Sequence, residues 1–270
     1  MTPRTDGDDT GPVPAKAAAS LQGRAVLVVG CRGRMGAMLC RRGTAAGLDM
    51  RGVDVPLTDA VLAPACKDAA LVLLCVPAAV FADVAATVCA HLPATAILAD
   101  ITSVKVRPLQ QMEAIWPGPV VGTHPLFGPA TPDEDGLPVT VTPGRTAREE
   151  DTALVEAFFR ALGCDTFRAT ADEHDRAMAR VQNMNFITNL AYFALLAGQE
   201  DLLPYITPSF RRRLHAAEKM LTEDGTMFTG LFEANPYSHE AVRQYRKMLN
   251  VAAAGDIELL CRRAQWWWKK

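Results

Sequence analysis

The chain has 270 residues, 49% of them apolar, and a formal net charge of −2. That length supports one large domain or two modest ones, and the charge offers no basic field of the kind that binds nucleic acid. No apolar run approaches the roughly 18–20 residues needed to cross a bilayer. The seven cysteines lack CxxC spacing, which speaks for reduced thiols in a cytoplasm rather than a metal site.

In chain order, residues 1–20 are rich in Pro, Gly, Asp and Thr and are expected to form a disordered tail. Residues 24–29 (RAVLVV) form a β-branched run that ends at a glycine cluster, and 34–46 have helical character. Further apolar runs at 50–55, 70–76 and 96–101 alternate with helical segments such as 78–91, which argues for a parallel sheet with crossover helices. Near-continuous apolar strands fit a sheet covered on both faces. Strands are also expected at 120–122, 139–142 and about 166–169, with a helix over 148–162. From about residue 171 strand signals disappear. Residues 172–199, 208–223 and 238–265 read as helices, interrupted by Pro204, Pro208, Gly225 and Pro236. The expected fold is therefore α/β: a Rossmann-type dinucleotide-binding domain over 21–168, followed by an all-helical substrate and dimerisation domain over 169–270. The Ala-rich stretch 189–197 has little polar face, as in a helix buried all round or packed at a subunit interface. With the Trp266–Trp268 cluster it predicts a homodimer.

The segment VVGCRGRMG carries Gly30, Gly33 and Gly36 between a strand and a helix, a variant of the dinucleotide fingerprint. The first glycine permits the tight turn, the second lets backbone approach a pyrophosphate, and the third lets helix and strand pack closely. The helix N-terminus then meets the phosphates. Asp54 ends the next strand, where an acid binds ribose hydroxyls and repels a 2′-phosphate, so NAD is expected over NADP. Arg32 and Arg34 in the loop leave room for phosphate contacts. Met35 and Val76 complete the expected cofactor-binding set. The GRMG tetrad also resembles dihydrodipicolinate reductases, a likeness confined to this loop.

Two further segments, ADITSVKVRPLQQM (99–112) and GPVVGTHPLFGP (118–129), each follow an apolar strand. Together they resemble the prephenate dehydrogenase family, in which an S-V-K turn and a G-x-H-P-x-x-G turn frame the active site. The stretch from Glu173-His174-Asp175 to Ala197 resembles the family's HD-containing helix, and the likeness runs from about residue 24 to 260. The resemblance implies hydride transfer from ring C4 of a cyclohexadiene carboxylate to NAD, loss of the C4 hydroxyl proton, and departure of the ring carboxylate to give an aromatic pyruvate. It makes His124 the catalytic base on a rigid turn and Ser103 a hydrogen-bonding partner near the C4 hydroxyl. Imidazole suits the task because its pKa lies near neutrality. Ser103 in a strand-to-helix turn is also a natural N-cap. Lys105 is left without a chemical role, its simplest use being to solvate the helix start.

The chain departs from the family on the substrate side. Where many relatives have Ser-His-Leu-Pro-His, this chain has Gln182-Asn183-Met184-Asn185-Phe186. Where the family places an arginine for the side-chain carboxylate, ungapped matching places Lys219, a point charge without a bidentate fork. Arg211, Arg212 and Arg213 lie about two turns earlier and could substitute, although three consecutive arginines cannot all face one site; the expected substrate-binding set is His174, Gln182, Arg211 and Lys219. These changes leave prephenate, 4-amino-4-deoxyprephenate and arogenate open as substrates. The non-enzymatic alternative is a catalytically silent dinucleotide sensor, against which Ser103 and His124 together speak. Hydroxyacid and imine reductases share the two-domain plan without this pair of turns. No metal is expected.

Overall fold

The structure is a computed structural model that describes residues 21–131 and 136–269. The tail expected at 1–20 lies outside the described residues. Two compact units are present, the first ending at His174 and the second beginning at Asp175.

The first unit is built on a seven-stranded sheet in the order β2-β1-β3-β4-β5-β6-β7. The strands are β1 Ala25–Val29, β2 Met50–Val53, β3 Ala69–Leu74, β4 Ile97–Asp100, β5 Val120–Pro125, β6 Leu137–Pro143 and β7 Cys164–Arg168. Strands β1 to β5 are mutually parallel. The helices between them are α1 Arg34–Ala45, α2 Asp59–Cys66, α3 Phe81–Cys89, α4 Val106–Ile115 and α5 Glu149–Ala161. Side chains alternate across a strand. Val26, Val28, Leu71 and Leu73 therefore pack on one face with Met38, Leu39, Phe158 and Phe159 of α1 and α5. Leu27, Val29, Val72 and Leu74 pack on the other with Leu62, Phe81, Leu109 and Met112 of α2 to α4. Both faces are covered, which is why these strands read as unbroken apolar runs.

The expectation of a parallel sheet needs one correction. β5 pairs antiparallel with β6, and β7 then runs parallel to β6. No helix lies among the described residues joining β5 to β6, and Leu126 N–H donates to Pro138 C=O at 2.9 Å as the chain turns back. Without a crossover helix the returning strand reverses direction.

The second unit is helical. The helix expected over 172–199 is three segments: α6 Ala171–Met178, a π-helical turn Ala179–Asn183, and α7 Met184–Leu195. α6 contains the junction between the units. The wide turn sets Asn183 inward, where its amide donates to Ser238 Oγ at 2.8 Å. Next come α8 Pro208–Thr222, α9 Gly225–Ala234, α10 Ser238–Ala253 and α11 Ile257–Ala264. The expected single helix over 238–265 breaks at Gly255, whose φ is +90°. Gly255 N–H reaches Ala252 C=O and Asp256 N–H reaches Val251 C=O, the paired bonds of a Schellman stop. Residues 189–197 are not buried all round: Leu190, Ala191, Ala194 and Leu195 are exposed. Among the described residues no helix is long and apolar enough to cross a membrane, and no cluster of three His, Cys, Asp or Glu residues is placed to hold a metal.

Candidate active site

Because β1 to β5 are parallel, their carboxyl ends share one edge of the sheet, and the order reverses between β1 and β3. Ligands bind outside the carboxyl ends at such a switch point. Gly30 follows β1 there in the left-handed region, with φ +88°, and a Cβ on it would lie 2.5 Å from Cys75 C=O and 3.2 Å from Val76 Cγ1. Gly30 is thus fixed both by its turn and by the end of β3. A Cβ on Gly36 would lie 2.2 Å from Gly30 C=O, so α1 can start against the loop only with glycine at this position. Gly33 is the N-cap of α1 and brings no capping side chain. The first amides of the helix are left for an anion. Met35 is half-buried against the core, and Arg32 and Arg34 are exposed.

Asp54 closes this cradle. Its Oδ2 accepts from Arg32 N–H at 2.9 Å and its Oδ1 from Val55 N–H at 2.8 Å. The carboxylate is tied to the glycine loop, and each oxygen retains a lone pair for a hydroxyl donor. The Arg32 guanidinium donates to Val55 C=O at 3.2 Å, beside that carboxylate. A dinucleotide pyrophosphate and ribose fit this set of amides and acid.

His124 lies in β5 itself, paired with Thr140, and not on a turn after the strand. Pairing with β6 holds its backbone. The ring is buried, and its Nδ1 lies 2.9 Å from His174 Nε2 with the two rings edge to face. Among the described residues Nε2 of His124 has no hydrogen-bond partner, so it is the nitrogen open to a substrate. Burial, then His174, then the Lys105 charge hold the His124 pKa well below its ordinary value. His124 therefore stays neutral, and able to accept a proton, at pH values where a free imidazole is protonated.

Lys105 does not solvate a helix start. It is fully buried, at 0% exposure, and its Nζ donates to Asp100 Oδ2 at 2.5 Å, to Thr123 C=O at 2.6 Å and to Thr102 Oγ1 at 3.2 Å. Thr123 Oγ1 in turn donates to Asp100 C=O at 2.5 Å. The end of β4 is thereby fastened to the residue preceding His124. Gly122 belongs to the same arrangement, since a Cβ there would lie 3.1 Å from Lys105 Cδ and 3.4 Å from Asp100 Oδ1. This Asp100–Lys105–Thr123 unit was missed from the sequence; its signal is an acid ending an apolar strand five residues before a lysine. Ser103 sits half-buried in the same turn but is not the cap, because the N-cap position of α4 is Lys105.

Of the residues expected on the substrate side, only His174 belongs to the first unit. Gln182 lies in the π-turn, and among the described residues its buried Oε1 has no partner. Arg211 and Lys219 are exposed on α8, Lys219 lying 3.8 Å from Asp224. Arg213 is packed over the Tyr192 ring at 3.8 Å.

Comparison with known proteins gives a consistent set of likenesses. The family profile described as prephenate dehydrogenase, nucleotide-binding domain, matches residues 43–166. The T-protein of Enterobacter agglomerans is 28% identical over 86% of this chain and 62% of its own length. The cyclohexadienyl dehydrogenase of Zymomonas mobilis is 27% identical over 73% of this chain and 72% of its own. The chain thus spans under two thirds of the length of the T-proteins it matches. Among solved structures, the prephenate dehydrogenase of Aquifex aeolicus in complex with hydroxyphenyl propionate and NAD+ superimposes with a TM-score of 0.73. It is 21% identical, covering 91% of this chain and 93% of that one.

The buried pair yields a stability prediction. Lys105→Met leaves the Asp100 carboxylate buried without its cation and should cost about 3–5 kcal/mol of unfolding free energy. Asp100→Asn combined with Lys105→Met should recover a large part of that loss. Denaturant titration of the two variants against the native chain measures both; equal losses in the single and the double variant would mean the ion pair is not what holds the turn.

Proposed function

We propose that this chain, similar to the prephenate dehydrogenase family over residues 43–166, catalyses the NAD-dependent oxidative decarboxylation of prephenate. The observation that carries this reading is His124: a buried neutral imidazole at the carboxyl end of β5, with Nε2 open, on the sheet edge that also holds the glycine loop. A sensor of dinucleotides would need the loop but not this base.

NAD, when bound, supplies the hydride acceptor. Gly30, Gly33, Gly36 and the amides at the start of α1 would hold its pyrophosphate, Arg32, Arg34, Met35 and Val76 would complete the cofactor-binding set, and Asp54 would take the ribose hydroxyls. His124 Nε2 takes the C4 hydroxyl proton as hydride leaves C4, so that C4 becomes a carbonyl. The ring carboxylate then departs as carbon dioxide, its bonding electrons complete the aromatic ring, and the His124 imidazolium returns the proton to the phenolate oxygen. Ser103 steadies the C4 oxygen beside Nε2. Arg211 and Lys219 are the cations proposed for the substrate's side-chain carboxylate, and Gln182 is proposed beside them as an amide donor. Seven free thiols fit work in a reducing cytoplasm.

The deciding assay follows NADH absorbance and carbon dioxide release with prephenate, arogenate and 4-amino-4-deoxyprephenate. Turnover of prephenate is expected to be the fastest; turnover of none would defeat the proposal. His124→Asn should lower kcat by about 10²-fold or more with NAD affinity nearly unchanged. In the native enzyme the acidic limb of kcat/KM should fall below the ordinary imidazole value of about 6.5, because the depressed pKa keeps the base unprotonated further into acid. A limb at or above that value would contradict a buried neutral base.

NAD should bind more tightly than NADP, and Asp54→Ala should narrow the gap; equal affinities in the native chain, read by fluorescence titration, would remove Asp54 from the ribose.

We also propose a homodimer through the helical unit. Leu195 is 70% exposed, and Trp266, Trp267 and Trp268 stand out from a short 3-10 turn at 52%, 71% and 80%. An apolar surface of this kind is rarely left to water. Light scattering at micromolar concentration should give twice the chain mass, and a monomer would overturn the dimer.

A further inference from the structure

We propose that His174 is a positioning residue for catalysis, fixing the tautomer of His124 by accepting its Nδ1 proton. The inference rests on the reading of His124 as base.

The geometry leaves two arrangements of the shared proton, and only one permits chemistry. The two nitrogens in contact are His124 Nδ1 and His174 Nε2, at 2.9 Å. If His174 Nε2 carried the proton and donated it, a neutral His124 would hold its own proton on Nε2. The nitrogen open to the substrate would then be a donor and could accept nothing. If instead His124 Nδ1 carries the proton and donates, Nε2 presents its lone pair to the C4 hydroxyl. His174 must then hold its own proton on Nδ1 and offer a bare Nε2. The tautomer of one histidine is thus set by the hydrogen bond of its neighbour.

His174 is built to do this. It is buried, and its backbone N–H donates to Thr170 C=O at 2.9 Å in the first turn of α6. That turn is closed by a reciprocal cap: Glu173 accepts from Thr170 N–H at 2.9 Å, and Thr170 Oγ1 accepts from Glu173 N–H at 3.2 Å. The groups acting electrostatically on the His124 ring are His174 from α6 and Lys105 from the β4–α4 turn, and both disfavour a charge on it. His174 therefore serves through proton placement and not by making His124 a stronger base. When His124 takes the substrate's proton at Nε2, its Nδ1–H still points at His174 Nε2, and the imidazolium keeps one good acceptor in a buried place.

The test reads the tautomer directly. Histidine 15N spectra of the ligand-free protein report which ring nitrogen carries the proton, and His124→Asn identifies the resonances of interest among the five histidines. In the native protein His124 should be protonated on Nδ1. His174→Gln, whose amide oxygen can occupy the place of Nε2, should keep that state and hold kcat within about tenfold. His174→Leu should move proton density to Nε2 and lower kcat by about 10²-fold or more, the scale of a lost proton transfer, with KM and NAD affinity little changed. A native His124 protonated on Nε2 would overturn the proposal. So would an unchanged tautomer in a folded His174→Leu variant whose KM rises alone, which would place His174 on the substrate. Because the spectra need no substrate, they answer separately from the assay that tests which compound is oxidised.

Discussion

A cation with no access to water sits at the carboxyl ends of β4 and β5, and the rest of the candidate site is arranged around it. Lys105 has three N–H donors and finds Asp100 Oδ2, Thr123 C=O and Thr102 Oγ1. Taking both charges out of water costs several kcal/mol per ion, and an apolar pair of similar shape is often no less stable. The arrangement therefore makes most sense as a positional constraint. It joins the last residue of β4, the turn that carries Ser103, and the residue before His124. The same ammonium also helps keep His124 neutral. Glycine at position 122 leaves room for this lysine, since a Cβ there would come within 3.1 Å of Lys105 Cδ.

The cofactor cradle depends on close approach in the same way. Gly30 and Gly36 would each place a Cβ against backbone oxygen, at 2.5 and 2.2 Å, and no side-chain rotation relieves a clash with backbone. Asp54 then gains its position from hydrogen bonds to Arg32 N–H and Val55 N–H, so the acid is oriented by the loop it serves.

How much of this was legible in the sequence varied with the kind of signal. The parallel strands were plain because both their faces are buried, and their runs are apolar without alternation. The antiparallel return of β6 was not, because strand direction is decided by the connection and not by the strand's composition. His124 read as a turn residue because Pro125 follows it, whereas pairing with β6 carries the strand through Pro125. The helical unit was read too smoothly. Gly255 stops α10 by its positive φ, and α6 passes into α7 through a π-turn at Ala179–Asn183 that no periodicity marks. Within the site, the glycines and Asp54 could be found by spacing alone. Lys105 reads as solvated because a lysine two residues beyond a serine in a turn ordinarily is; the acid that ends the apolar strand five residues earlier is its one sequence signal. The partnership of His124 and His174 spans 50 positions, and nothing in either segment specifies the other.

A base whose protonated form is disfavoured by burial, by His174 and by Lys105 is a weak base, and that raises the question of how it can take a hydroxyl proton. The answer lies in the timing of the proposed reaction. An alcohol hydroxyl is far too weak an acid to protonate such an imidazole in the ground state, but as hydride leaves C4 the oxygen becomes that of a protonated carbonyl, which is a strong acid. A weak base suffices at that moment, and the interaction grows in the transition state without being present before it. The same weakness helps the return step, because the imidazolium must give the proton back once decarboxylation has made a phenolate. A stronger base would start more often in its charged form and would give the proton up more slowly. In the proposed reaction the buried lysine and the second histidine thus serve a single requirement, that His124 stay unprotonated at Nε2 until the substrate itself becomes acidic.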